Sequence, residues 1–244
     1  MVNLNRSKDA PKIEFISMIK GLDKIPDCVP KPASSFIPSW WKGVPNKVGD
    51  LHTIKTCPAY PDYFSEGYVI PMWTDVKFKY NEDTGEWAWE TRSNENPFLF
   101  DCHYNGQLVD HKTPSLQGVD GKFIFKFISP WKVFTPPGYS VLQLPTFYHF
   151  NKDFSILPGI LHTDIYHSTN QQMLYHSSEK EILIERGTPL VHYVPFKREK
   201  LSLDVRSATP EDLEKIKLED LSGVTKLPGS GWFKKYKKQH PYHQ

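Results

Sequence analysis

The chain has 244 residues, 39% hydrophobic and 24% charged; these are ordinary values for a folded chain, and at roughly 150 residues per domain they predict one domain with extensions. Lys and Arg number 30 against 28 Asp and Glu, a net charge of +2, which excludes a protein that grips polyanions over its whole surface. No apolar run approaches the roughly 20 residues of a membrane helix, and the opening MVNLNRSKDAPKIEF lacks the apolar stretch of a secretory signal, so neither a membrane span nor secretion is expected.

Cys28, Cys57 and Cys102 are widely spaced and form no C-x-x-C pair, so they read as reduced thiols rather than a disulfide framework or a cysteine zinc site. The 14% aromatic content, 21 Pro and 14 Gly describe short strands cut by turns.

In chain order, residues 1–50 read as an extended proline-rich arm, anchored on the domain by Trp40 and Trp41,. The β domain spans 51–205. Within it GYVIPMW, beginning at Gly67, is a buried-type run, and residues 75–91 form a hairpin with Val76, Phe78 and Tyr80 on one face and turn chemistry at NEDTG,. GKFIFKFIS places Phe123, Phe125 and Phe127 on one face; further strands are predicted at 139–144, after the TPPG turn, and at 156–163, 172–176, 181–185 and 190–195. With no helical crossover between them, these strands predict an antiparallel sandwich or a β-clip-like barrel. One helix is well signalled over 206–223 and is expected to pack on the domain: Thr209 caps it, Pro210 opens it, Glu211 and Asp212 favour its positive end, and Gly223 stops it,. Residues 224–244 contain no acid and form a basic aromatic extension.

Three constellations carry candidate chemistry. His162, Asp164 and His192 have the residue types of a 2-His-1-carboxylate iron site, with Arg206 downstream. Asp164 in an apolar segment needs a partner, which Arg198 or Arg186 supplies. In the extension, Lys234 and Lys235 lie between Trp232, Phe233 and Tyr236, a pattern that suits stacking on single-stranded nucleic acid or anchoring on protein.

The first of these sets, and three further segments, carry family resemblances. The His-x-Asp…His pattern resembles the iron and 2-oxoglutarate dioxygenases, which implies Fe(II) on His162, Asp164 and His192 and a 2-oxoglutarate carboxylate on Arg206. The segments PPGYSVLQLP (136–145), GILHTDIYHS (159–168) and IERGTPLVHYVPF (184–196), with GSGWF (229–233), follow the order seen in dUTPases and dCTP deaminases. Here His162 stands at the position of their catalytic acid, Ile165 replaces their tyrosine, and the Arg-Ser-Gly segment is absent. That resemblance implies β-clip geometry without its chemistry.

A closer resemblance is to an uncharacterised family of phage and bacterial proteins, carried by Gly67-Tyr68, Pro130-Trp131, Thr135–Ser140, Gly159 with Thr163-Asp164, Gly187–Pro189, and Pro195-Phe196 with Arg198. It implies a phage source, and host cytoplasm or virion as the location, but brings no activity. Taken together, the sequence predicts a non-enzymatic binding or assembly protein, a virion component or an auxiliary one, without a cofactor. Its expected partners are other protein subunits in an oligomer, with contacts through Trp40, Trp41 and the aromatic extension, where single-stranded nucleic acid is a further candidate. The alternatives are the Fe(II)/2-oxoglutarate oxygenase and, more remotely, a nucleotide pyrophosphatase.

Overall fold

Alternating apolar and polar side chains in the aromatic-rich segments produce strands, and every strand pair among the described residues is antiparallel,. The computed structural model describes residues 11–57, 59–81, 83–84, 86–91, 100–102, 123–177 and 179–224. The strands are β1 (Glu14–Ser17), β2 (Lys31–Pro32), β3 (Lys47–Val48), β4 (Leu51–His52), β5 (Tyr68–Pro71), β6 (Val76–Asn81), β7 (Glu86–Thr91) and β8 (Phe100–Cys102). They continue with β9 (Phe123–Phe134), β10 (Tyr139–Pro145), β11 (Phe154–Ile156), β12 (Gly159–Leu161), β13 (Ser168–Tyr175), β14 (Glu181–Ile184) and β15 (Pro189–Lys197).

One sheet runs β1-β9-β13-β11, with β8 also on β9; a second runs β12-β10-β15-β5-β2. A three-stranded sheet, β14-β6-β7, and the ribbon β3-β4 complete the set. The fold is therefore mainly β with open antiparallel sheets, and none of them closes into a barrel among the described residues. The core joins the inward rows of the sheets: Phe125, Phe127, Trp131 and Val133 from β9, Met173 and Tyr175 from β13, and Val141, Val191 and Tyr193 from β10 and β15. Val76 and Phe78, predicted to share a face, are both fully buried. Polar side chains also cross the core: Gln171 on β13 donates Nε2 to the Tyr193 hydroxyl at 2.7 Å, and that hydroxyl donates to Gln143 Oε1 on β10 at 3.4 Å. Burial pushes the Tyr193 phenol up to about 12, because a phenolate has no solvation there.

The chain divides after Arg198 into a unit of residues 1–198 and a second unit, 199–244. In the first, the proline-rich stretch is not a plain extended arm. It turns through short 3-10 segments into the helix α1 (Ser39–Gly43), and β1 and β2 add outer strands to the two larger sheets. The predicted strand over 156–163 is two strands in different sheets, β11 and β12, separated at Leu157-Pro158, since proline donates nothing to a ladder.

In the second unit, the helix α3 (Pro210–Val224) begins at Pro210 behind the predicted Thr209 cap, four residues later than the start of the predicted range 206–223. The Thr209 hydroxyl accepts from the Asp212 N–H at 3.2 Å, and Asp212 Oδ2 accepts from the Thr209 N–H at 2.9 Å, a reciprocal capping box,. The helix passes through Gly223 to Val224 rather than stopping at that glycine. No helix among the described residues is long and apolar enough to cross a membrane.

Candidate functional site

The tight turn that precedes β10 organises a polar cluster on the outer face of the second sheet. The Tyr139 N–H donates to the Pro136 carbonyl at 3.0 Å, with Pro137 and Gly138 as the central residues and Gly138 at φ 83°. This is the Pro-Gly pattern of a type II turn, whose third residue needs positive φ. The turn leaves the Gly138 N–H free to donate to Asp164 Oδ2 at 2.9 Å, while the Gly138 carbonyl accepts from the Arg198 N–H at 2.8 Å.

Arg198, one residue past β15, completes the cluster. Its Nη1 donates to Asp164 Oδ1 at 2.8 Å, to Ser140 Oγ at 2.7 Å and to the Tyr139 carbonyl at 3.2 Å, and its Nη2 donates to Asp164 Oδ2. The Ser140 hydroxyl lies 2.8 Å from His162 Nδ1, and the Thr135 and Thr163 hydroxyls bond to each other at 2.8 Å. The Asp164 side chain is 6% exposed and that of Arg198 31%. The guanidinium beside it holds the Asp164 carboxyl well below the usual carboxylate range; burial opposes this and the Gly138 N–H assists it,. The Asp-Arg pairing expected from sequence is thus made by Arg198. Arg186 instead donates its backbone N–H to Asp75 Oδ1 at 2.8 Å.

The pair ties three chain segments together: the turn at 135–140, the turn at 162–166 and the end of β15. Asp164 has a depressed pKa in the folded state, so its contribution to stability is present above the unfolded carboxyl value of about 4 and is lost as pH falls below it. Asp164→Asn is therefore expected to melt several degrees below the wild type at pH 7, with the gap narrowing below about pH 4. Thermal unfolding of both proteins between pH 7 and pH 2.5 measures this; a gap independent of pH would contradict it.

The other predicted site residues are dispersed. His192 is 2% exposed; it donates Nε2 to the Glu66 carbonyl at 2.6 Å and meets the edge of Tyr63, with ring centroids 5.0 Å apart. Burial pushes its imidazole pKa down. His192 pairs across the ladder with Leu144, whereas His162 bonds to Ser140. Four residues of strand, about 13 Å at roughly 3.3 Å each, separate those two positions. Of the candidate iron ligands, His162 and Asp164 share the Arg198 cluster while His192 is held apart from them, and no cluster of three or more His, Cys, Asp or Glu side chains among the described residues is placed to hold a metal ion. Arg206 belongs to the second unit, where its guanidinium pairs with Asp212. Ile165, at the position of the tyrosine in the dUTPase-like pattern, is 74% exposed.

Trp40 and Trp41 separate sharply. Trp41 is 5% exposed and packs among Tyr60, Phe64 and Tyr148 at centroid distances of 5.7, 4.9 and 6.5 Å. Tyr60, Tyr63 and Phe64 come from α2 (Ala59–Ser65). Beside them is a cavity of about 20 Å³, room for a single water. Trp40 is 41% exposed and donates Nε1 to the Tyr148 carbonyl at 2.9 Å. Trp232, Phe233, Lys234, Lys235 and Tyr236 lie outside the described residues.

Sequence reasoning missed the aromatic turn Phe147–Phe150. Its signal is F-Y-H-F between Pro145 and Asn151, too many rings for an ordinary loop.

No protein-family model matches the chain, and no curated protein matches it. Among solved structures it is similar to a mutant dUTPase from phage phi11 of S. aureus, with a TM-score of 0.36 and 10% sequence identity, over 81% of this chain and 97% of that one. Likeness at that level places the chain in no family.

Proposed function

We propose that the chain is a phage-encoded assembly protein without chemistry of its own, whose segment 199–209 joins it to a second copy. The observation that carries this reading is the exposure of Leu201, Leu203 and Val205, at 90%, 89% and 82%. They alternate with Ser202, Asp204 and Arg206, the pattern of a half-buried strand. Yet the segment has no ladder partner among the described residues. Burying three such side chains is worth on the order of 5 kcal/mol, a strong drive toward a partner.

The segment ends at a capped helix that itself exposes Leu213 and Ile216, which supports a fixed joining element. The receiving surface in this reading is the outer edge of β1, where Ile16 and the adjoining Met18 are 48% and 64% exposed. An outer strand takes up another by backbone hydrogen bonding. The reading without chemistry draws on the Asp164 carboxylate, which is engaged by the Arg198 guanidinium and the Gly138 N–H. The phage source rests on the sequence signature that builds this cluster.

Sedimentation velocity at micromolar concentration tests the reading. The wild type is expected to sediment as a defined oligomer, and a variant carrying Leu201→Ser, Leu203→Ser and Val205→Ser as a monomer. A monomeric wild type would overturn the proposal.

A further inference from the structure

The aromatic turn after β10 forms one wall of an open groove with a volume of about 230 Å³. Its floor is apolar and immobile in packing terms: Phe154, Ile156 and Leu190 are 4%, 2% and 1% exposed. Its wall is the opposite, since Phe147 and Phe150 stand 62% and 61% exposed in the open. Phe150 is held at φ 47°, the one non-glycine residue at positive φ among those described, a conformation that is strained for a side chain and needs its surroundings to impose it. Trp40 supports the ring from behind at a centroid distance of 5.4 Å, and is itself pinned through Nε1 to the Tyr148 carbonyl. The wall is therefore built, and held, with its apolar faces in water.

The chemistry of the rim narrows what enters. Among the described residues no Asp, Glu, Lys or Arg lines the groove, so it offers no carboxylate, ammonium or guanidinium to an ionic ligand. The polar groups present are Ser155 Oγ and His176 Nε2, bonded to each other at 3.1 Å, Asn151, whose side-chain oxygen accepts the Asp153 and Phe154 N–H groups, and Thr146, whose hydroxyl donates to the Pro189 carbonyl. Hydroxyl, imidazole and amide each donate and accept, which matches a ligand rich in hydroxyls. Shape excludes a flat ring clasped on both sides, because the planes of Phe147 and Phe150 meet at 64° with centroids 6.0 Å apart. A puckered ring that offers C–H faces in two directions fits this corner. The volume is below the roughly 300–1,000 Å³ of sites that enclose a drug-sized molecule, so the groove takes one ring of a larger chain.

We infer that the Phe147–Phe150 groove is a binding site for one unit of a neutral saccharide. Phe147 and Phe150 cover the apolar faces of the sugar ring, and Ser155, His176 and Asn151 meet its hydroxyls. The inference is independent of the role of segment 199–209.

The test uses the full chain with maltotriose, cellotriose and triacetylchitotriose as probes, read by saturation-transfer NMR and by the fluorescence of the tryptophans, Trp40 among them. At least one probe is expected to bind saturably with a millimolar or tighter Kd. Phe147→Ala, or Phe150→Asn, which keeps a residue tolerant of positive φ, is expected to weaken it roughly tenfold. Both rings are more than half exposed, so both variants are expected to fold, and an unchanged melting temperature verifies it. No binding of any of the three at about 50 mM, far above the millimolar range expected, affinity unchanged in both variants, or binding of thymidine in place of the saccharides would overturn the inference.

Discussion

Gly67→Ala is expected to be the most damaging single-atom-scale change in the molecule. Gly67 joins α2 to β5 at φ 72°, and a Cβ there would lie 2.1 Å from the Tyr193 carbonyl oxygen and 3.0 Å from its carbon. Both are backbone atoms of the central strand β15, so nothing nearby yields cheaply. The left-handed conformation alone costs about 1–2 kcal/mol for an L-residue, and the clash adds to it. The same turn positions the Glu66 carbonyl for His192 Nε2 and the Gly67 carbonyl for the Ala33 N–H, so displacing it disturbs both contacts together. A loss of at least about 2 kcal/mol, or about 4–8 °C in Tm for a domain of this size, is expected in thermal unfolding. A variant within about a degree of the wild type would mean that β15 and the α2–β5 connection are not in contact as described.

Trp41→Ala is expected to lower stability by about 3–5 kcal/mol, the usual cost of removing a buried tryptophan. Trp40→Ala, one residue away, is expected to cost no more than about 1 kcal/mol. The difference lies in their surroundings. Trp41 is the centre of an aromatic cluster that fastens residues 33–43 to α2 and to Tyr148, whereas Trp40 faces partly outward. Denaturant unfolding of the two variants measures the contrast, and limited proteolysis is expected to cut the Trp41 variant first within the proline-rich stretch. Equal losses in the two variants would contradict the assignment.

These two tryptophans also mark how far sequence can be read. Their identity and their role as anchors were legible, but nothing in S-W-W-K states which of two adjacent rings turns inward; the packing of α2 decides that. Strand existence was largely legible because Phe125, Phe127, Val76 and Phe78 obey period two. The full length of β13 was not, because Thr169 and Gln171 are polar and yet buried at 1% and 0% exposure, as partners within the core. β1 escaped notice for a different reason: four residues, EFIS, are too few for periodicity to declare itself.

At the candidate site, the need of Asp164 for a cation was legible from its apolar surroundings, and Arg198 meets it. His192 misled because a histidine among Leu, Val and Tyr reads equally as a ligand or as a buried donor. Only the position of the Glu66 carbonyl decides for the donor. The groove beside Phe147 depends on residues from β10, β11 and β15 and on Phe150 at positive φ, and no local pattern encodes that convergence.

Amide hydrogen exchange across residues 199–209, followed as the protein is diluted from a concentration at which it is oligomeric, tests the assembly role most directly. If this segment pairs with a strand of a second copy, alternate amides between Leu201 and Val205 are protected in the oligomer and lose protection as it dissociates. Exchange at free-peptide rates at every concentration, or protection that persists in the monomer, would contradict it.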